Sequence, residues 1–427
     1  MTYTELTTII TESAQLSTDR PVLRSYESEL EALLTTPKPL KAITGIRRSG
    51  KSYLLKKMYR KLIDILNIPQ ANIFFINFEN DRLVKHRSLV GLRNLFEMFI
   101  THTDNQKPIY LFLDEIQNVH QWESFVRTIY DSTDYNIFIT GSNSRLLSSE
   151  FSTSLGGRIL EFNILPFSFK EFLQWNKINI PKDIFELSEN KAAIQSHLNQ
   201  YLKFGGLVEG FDLAPAQKVS YQETLLEKII INDIINRFEL KYPDVLKIVC
   251  QFLQTNTGNI TSIRNIVNWI RSLGEEKNVD YKTVQTYIDY LEKTYLISRI
   301  KKFSFKTKEI FSTQNKYYFV DNLFCNKSDV EDQIENVVFD HLLRKNSKDI
   351  YYGRDERGQE IDFVIPSQNQ AFQVCYLLND TNINRETKTL NIFDGDSSLI
   401  YMYDQRLVKN DLGNIKLIGL DQFLLEI

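Results

Sequence analysis

The chain has 427 residues, too many for one ordinary hydrophobic core, so two or three domains are expected. It is globular in composition, 42% hydrophobic and 25% charged, and a net charge of -3 excludes a surface that is basic throughout, so any nucleic-acid contact must come from a local patch. Three scattered cysteines (Cys250, Cys325, Cys375) argue against a disulfide framework or a structural zinc site, and the absence of a signal-like start or of a run of about 18 apolar residues gives the expectation of a cytoplasmic protein with no membrane contact.

The first informative stretch is "LKAITGIRRSGKSYLL", residues 40–55. "LKAIT" reads as a strand, and Leu54, Leu55, Met58, Leu62 and Ile65 recur at helical spacing beyond it. Between them Gly45, Gly50, Lys51 and Ser52 meet the pattern G-x-x-x-x-G-K-[ST]. The chemistry needs these types. Glycines let successive N–H groups point inward around phosphates, the lysine reaches the β and γ phosphates, and a small hydroxyl ligates magnesium. The loop candidates run through Gly45, Ile46, Arg47, Arg48, Ser49, Gly50, Lys51, Ser52 and Tyr53, with phosphate over a helix N-terminus. Arg47 and Arg48 are read either as phosphate neighbours or as solvated side chains.

"NIFFINFEN" (72–80) is the next strand, and "PIYLFLDEIQNV" (108–119) is an apolar strand closed by Asp114 and Glu115. An acid at that place completes a magnesium shell, with Ser52, and a neighbouring glutamate polarises the attacking water. "YNIFITGSNSRLL" (135–147) is a third strand with a polar end. Asn143, with Ser142 close behind, is the water-positioning candidate there; a plain helix cap explains the same residues. Arg158, before a fresh strand at "RILEFN", is a candidate finger toward the γ-phosphate, within one subunit or between two.

These segments, with "GIRRSGKS", "FINFENDRL", "LDEIQNVHQWE", "GSNS", "GGRILEFNILPFSFKEF" and "YLKFGGLVEG", resemble the bacterial and archaeal AAA-type P-loop ATPases that carry a C-terminal domain of unknown function. The likeness spans nearly the whole chain. It implies an AAA+-like parallel α/β sheet with helices, a helical and winged-helix middle, and a C-terminal α/β domain of restriction-endonuclease-like fold. The boundaries expected are 1–165 for the ATPase core, 166–240 for a helical lid, 241–322 for the winged helix and 323–427 for the nuclease-like domain.

Residues 167–233 read as amphipathic helices broken by "FGGLVEG". Residues 243–300 have the rhythm of a winged helix-turn-helix. From Arg299 to Lys316 six basic residues (Arg299, Lys301, Lys302, Lys306, Lys308, Lys316) face one acidic residue, Glu309, with phenylalanines interleaved. A basic wing suits a phosphate backbone, and a packing surface is the competing reading.

In the last hundred residues Glu335 lies on a helix, Glu360 and Asp362 on a hairpin, and Gln373 and Cys375 on the following strand. Helix carboxylate, hairpin carboxylate, then acid-x-lysine is the order of a restriction-like nuclease site. Gln373 and Cys375 stand where the acid and the lysine belong, so an inactive remnant is expected. The whole reads as a magnesium- and ATP-dependent ATPase, a homo-oligomer, coupling nucleotide state to nucleic acid, with DNA expected at the wing. The alternatives are a switch that recruits a protein through the C-terminal domain and, third, an ATP-dependent nuclease.

Overall fold

The computed structural model describes residues 1–16, 22, 24–104, 106–142, 157–274, 279–304, 310–325, 330–346, 349–407 and 412–427. The chain divides into two compact units, Met1–Ile164 and Leu165–Ile427.

The first unit is built on five parallel strands, β1 (Leu40–Thr44), β2 (Ile73–Asn77), β3 (Tyr110–Asp114), β4 (Asn136–Thr140) and β5 (Ile159–Asn163), in the order β2-β3-β4-β1-β5. β2, β3 and β4 are short continuous apolar runs, the pattern of strands covered on both faces. Phe75, Phe112 and Phe138 stack across those three strands with ring centroids 5.5 and 4.9 Å apart. Helix Lys51–Asp64 seals one side through Leu54, Leu55, Met58 and Leu62. Because β4 lies between β1 and β3, the loop after β1, the acids after β3 and the polar end of β4 open at one edge of the sheet. Ligands of open α/β sheets bind at such carboxyl ends.

The second unit begins with helices, of which Lys191–Phe204 ends at the Gly205-Gly206 pair. A Cβ on Gly205, at φ +71, would fall 1.5 Å from Asp321 Oδ1. The Gly206 N–H donates to Asp321 Oδ2 at 2.7 Å. The "FGG" break is therefore a docking point for a buried aspartate. Residues Ile229–Ile235 wind as a π-helix inside what reads from sequence as continuous α-helix. Helices Pro243–Thr255, Ile263–Ser272 and Tyr281–Lys293 then lead into the hairpin β6 (Ile297–Phe303) and β7 (Ile310–Phe319).

That hairpin does not stand alone. β6 pairs in parallel with β8 (Tyr351–Arg354), and the sheet continues through β9 (Glu360–Ile365), β10 (Gln370–Leu378), β11 (Asp396–Asp404) and β12 (Ile415–Gly419) in the order β12-β11-β10-β9-β8-β6-β7. The boundary expected at 322–323 thus falls between two strands of one seven-stranded sheet. Helix Val330–Asn346 packs on this sheet through Ile334, Val338 and Phe339.

Candidate active site

The loop after β1 is shaped by two glycines. At Gly45, φ +136, a Cβ would meet the Ile164 carbonyl oxygen at 2.3 Å; Gly50 stands at φ +102 immediately before helix Lys51–Asp64. Lys51 is buried, and its Nζ donates to the carbonyl oxygens of Gly45 and Ile46, both at 3.0 Å. Ile46 and Ser49 are buried, Ser52 and Tyr53 half-buried. Of the two arginines, Arg47 pairs with Glu79 at 2.9 Å and Arg48 is exposed.

Asp114, fully buried at the end of β3, accepts from Ser52 Oγ at 3.1 Å and from Thr140 Oγ1 at 2.5 Å, both through Oδ1. Its Oδ2 is buried without a hydrogen-bond partner. Burial, and after it the charge of Glu115, push the Asp114 carboxyl up to about 6. Glu115 is held in the left-handed region, φ +53, a conformation that costs a non-glycine residue about 1 kcal/mol or more. Its N–H donates to Thr140 Oγ1 at 2.9 Å, its Oε2 accepts from Gln117 Nε2, and its Oε1 is 3.9 Å from Lys51 Nζ. The sheet order thus brings Lys51, Ser52, Asp114 and Glu115 to one place.

Thr140 was not among the sequence candidates, yet its hydroxyl links the two acids. Its only signal is a polar residue closing an apolar strand. Arg24 was also missed: it is buried, and its Nη1 donates to the Ser49 carbonyl at 3.3 Å. Glu27 holds the Arg24 N–H at 3.0 Å and Lys57 of the loop's own helix at 2.5 Å. The candidate Asn143 lies outside the described residues, while Ser142 is buried with Oγ unpartnered. Arg158 has an exposed side chain, and its carbonyl accepts from the Leu40 N–H at 3.1 Å.

Phosphates and magnesium fit these residues. The partnerless Asp114 Oδ2 beside the Ser52 hydroxyl is a hard oxygen donor set, and the Lys51 ammonium, held on the carbonyls of its own loop, supplies the positive charge a phosphate needs.

The wing differs from its sequence reading at two positions. Arg299 is tied to Asp289 at 2.9 Å and to Glu292, because β6 runs back along helix Tyr281–Lys293. Lys316 is buried, with Glu335, Glu360 and Asp362 around its Nζ. Lys301 is exposed and Lys302 half-buried; Lys306 and Lys308 lie outside the described residues. Burial pushes the Cys375 thiol up to about 12, and Gln373 Oε1 is buried without a partner. Among the described residues no group of three or more His, Cys, Asp or Glu side chains is set to hold a metal, and no helix is long and apolar enough to cross a membrane.

Residues 37–173 match the model of a family described as an AAA domain, and residues 195–332 match that of a domain of unknown function. An uncharacterized protein of Methanocaldococcus jannaschii is 33% identical over 365 residues, covering 82% of this chain and 78% of that one. An uncharacterized protein of Haemophilus influenzae is 29% identical over 394 residues, covering 91% and 94%. Among solved structures, a Walker-type ATPase of Pyrococcus abyssi is similar at TM-score 0.40 and 17% identity, covering 73% of this chain and 98% of that one. The Aeropyrum pernix ORC1 protein, solved in complex with DNA, is similar at TM-score 0.33 and 13% identity, covering 78% and 97%. With a phosphate loop, an acid-tipped β3 and β4 inserted between them, the chain belongs to the AAA-domain family of P-loop proteins.

Proposed function

We propose that the protein is a magnesium-dependent ATPase whose nucleotide state governs a contact with DNA. The observation that carries the hydrolytic half is the convergence of Lys51, Ser52, Asp114 and Glu115, with Glu115 Oε1 3.9 Å from Lys51 Nζ and Ser52 bonded to Asp114. Lys51 and the loop N–H groups of 45–52 would hold the phosphates, and Ser52 and Asp114 would hold Mg2+. Bound there, the cation neutralises phosphate charge. Glu115 takes the proton of the water that adds to the terminal phosphorus as the bond to the ADP oxygen breaks. Thr140 keeps the two carboxylates apart in role: its hydroxyl donates to Asp114 and receives the Glu115 N–H, which aims one acid at the metal and frees the other for the proton. Asn143 and Arg158 complete the water-positioning and finger roles, the exposed Arg158 acting within one subunit or between two.

DNA contact rests on the wing. Lys301 and Lys302, with Lys306 and Lys308, are the residues proposed to meet phosphates. A second reading is favoured by Arg299 and Lys316, whose charges are consumed inside the unit. On that reading ATP controls docking of a protein partner at the second unit. ATP turnover with and without duplex DNA, at low and at moderate salt, separates the two. A several-fold stimulation that fades with salt supports the DNA reading. Turnover indifferent to DNA at both salts removes it and leaves the protein-partner switch.

A further inference from the structure

The second unit holds a convergence of charge that the nucleotide chemistry does not use. Lys316 projects from β7, its side chain 1% exposed. Its Nζ lies 2.9 Å from Glu335 Oε1 on helix Val330–Asn346, and 2.6 Å from Glu360 Oε1 and 3.1 Å from Asp362 Oδ1 on β9. Each acid is fixed by more than the lysine. Glu335 Oε1 accepts from the Tyr318 hydroxyl at 2.6 Å, and Asp362 Oδ2 accepts from the Val374 N–H of β10 at 2.9 Å. Gly258, in the turn after helix Pro243–Thr255, lies so close over Glu335 that a Cβ there would stand 3.1 Å from its carboxylate.

These are the acids that the sequence assigns to a nuclease-like remnant, but the lysine is not where that pattern puts it. Position 375, where the pattern has lysine, is a buried cysteine, and position 373 is Gln instead of an acid. The cation has arrived from another strand and stands at the centre of the carboxylates rather than beside them. A divalent ion needs oxygens at about 2.0–2.6 Å around one point. The oxygens that could supply them converge on the lysine nitrogen, so ammonium and metal compete for one place. The electrostatics agree with a resident cation. Burial raises the Glu335 carboxyl to about 7, and the charge of Lys316 is the strongest influence drawing it back toward the ionised form.

We propose that the Lys316 ammonium is the permanent cation of this carboxylate cluster, occupying the position a divalent ion would take and locking β7 to β9 and to helix Val330–Asn346. The cluster is then an electrostatic lock without metal-dependent phosphodiester chemistry. Removing the ammonium uncovers a divalent-cation site.

The test is Mn2+ titration without nucleotide, by calorimetry, of the full chain and of Asp362→Asn, Lys316→Met and the double variant, with melting followed in parallel. Any Mn2+ bound at the phosphate loop is common to all four. Wild type and Asp362→Asn are expected to give the same isotherm. Lys316→Met is expected to melt about 10 °C lower without metal, as a buried pair losing one partner does. It gains one Mn2+ equivalent that raises its melting temperature, and the double variant loses that equivalent. The proposal is overturned if wild type binds a Mn2+ that Asp362→Asn abolishes, because the lysine then stands beside a metal and not in its place. A folded Lys316→Met that gains no Mn2+ site overturns it as well. If Lys316→Met folds only when Mn2+ is supplied, the resident-cation role is supported. If it does not fold at all, the comparison of wild type with Asp362→Asn decides.

Discussion

Asp114→Asn should stabilise the nucleotide-free protein while disabling its site. The Asp114 carboxyl sits at about 6 against an ordinary value of 3.8. At about 1.4 kcal/mol per tenfold change in proton affinity, keeping it ionised at neutral pH costs about 3 kcal/mol. Asparagine removes the charge and keeps an oxygen where Oδ1 accepts from Thr140 and Ser52. Its amide would occupy the place of Oδ2, which has no partner, at a cost of about 1–2 kcal/mol for a buried unsatisfied donor. The net gain is about 1–2 kcal/mol, or about 3–6 °C in the melting of the first unit. A carboxyl raised in the folded state contributes stability below its ordinary value, near 4, and that stability is lost as pH rises through about 6. At pH 5 the wild-type carboxyl is mostly protonated and the variant's advantage shrinks; at pH 8 it is full. Scanning calorimetry at the two pH values, without nucleotide or metal, reads this directly. A variant that melts below wild type at pH 8, or an advantage equal at both, refutes the argument. With magnesium and ATP present the order reverses, because only the carboxylate holds the ion.

Lys51→Ala should abolish the rise in melting temperature that ATP gives wild type, since the buried ammonium has no substitute in the loop; thermal shift with and without ATP checks it. Arg299→Ala should cost about 1–2 kcal/mol, mostly from leaving the half-buried Glu292 unpaired, and leave DNA affinity unchanged, whereas Lys301→Glu should weaken DNA binding at unchanged stability. Melting curves and salt-dependent binding separate the two. Gly205→Ala should destabilise the second unit by about 3 kcal/mol or more, because its Cβ coincides with the Asp321 carboxylate at a positive φ; a drop in the denaturant midpoint reads it.

The phosphate loop and the β3 acids were legible because each is a local pattern with a local physical cause. Glycines at positive φ, a lysine opening a helix and an acid after an apolar run all announce themselves within a dozen residues. β4 was legible as a strand for the same reason. What escaped depends on neighbours distant in sequence. Thr140 looks like any strand end until Asp114 and Glu115 stand beside it. Arg24 has no pattern at all and acts only because the chain before β1 folds onto Ser49. Lys41 carries no signal within its strand, yet its ammonium is buried against the carbonyls of Thr36 and Pro37 and the Phe138 ring, and burial lowers it to about 8. Lys316 was counted with the basic wing because charge along a strand does not say which face it occupies. That Lys316 of β7 meets Glu335 and the two acids of β9 cannot be seen until the packing of the sheet is known.

Hydrolysis of ATP at this site with Glu115 as the base is tested by measuring ATP binding and ATP turnover together for wild type and Glu115→Gln in magnesium. Equal binding is expected, with turnover reduced by about 10²–10⁴-fold in the variant, the usual contribution of a positioned general base. Turnover of Glu115→Gln at the wild-type rate, or a wild type that neither binds nor hydrolyses ATP, would contradict it.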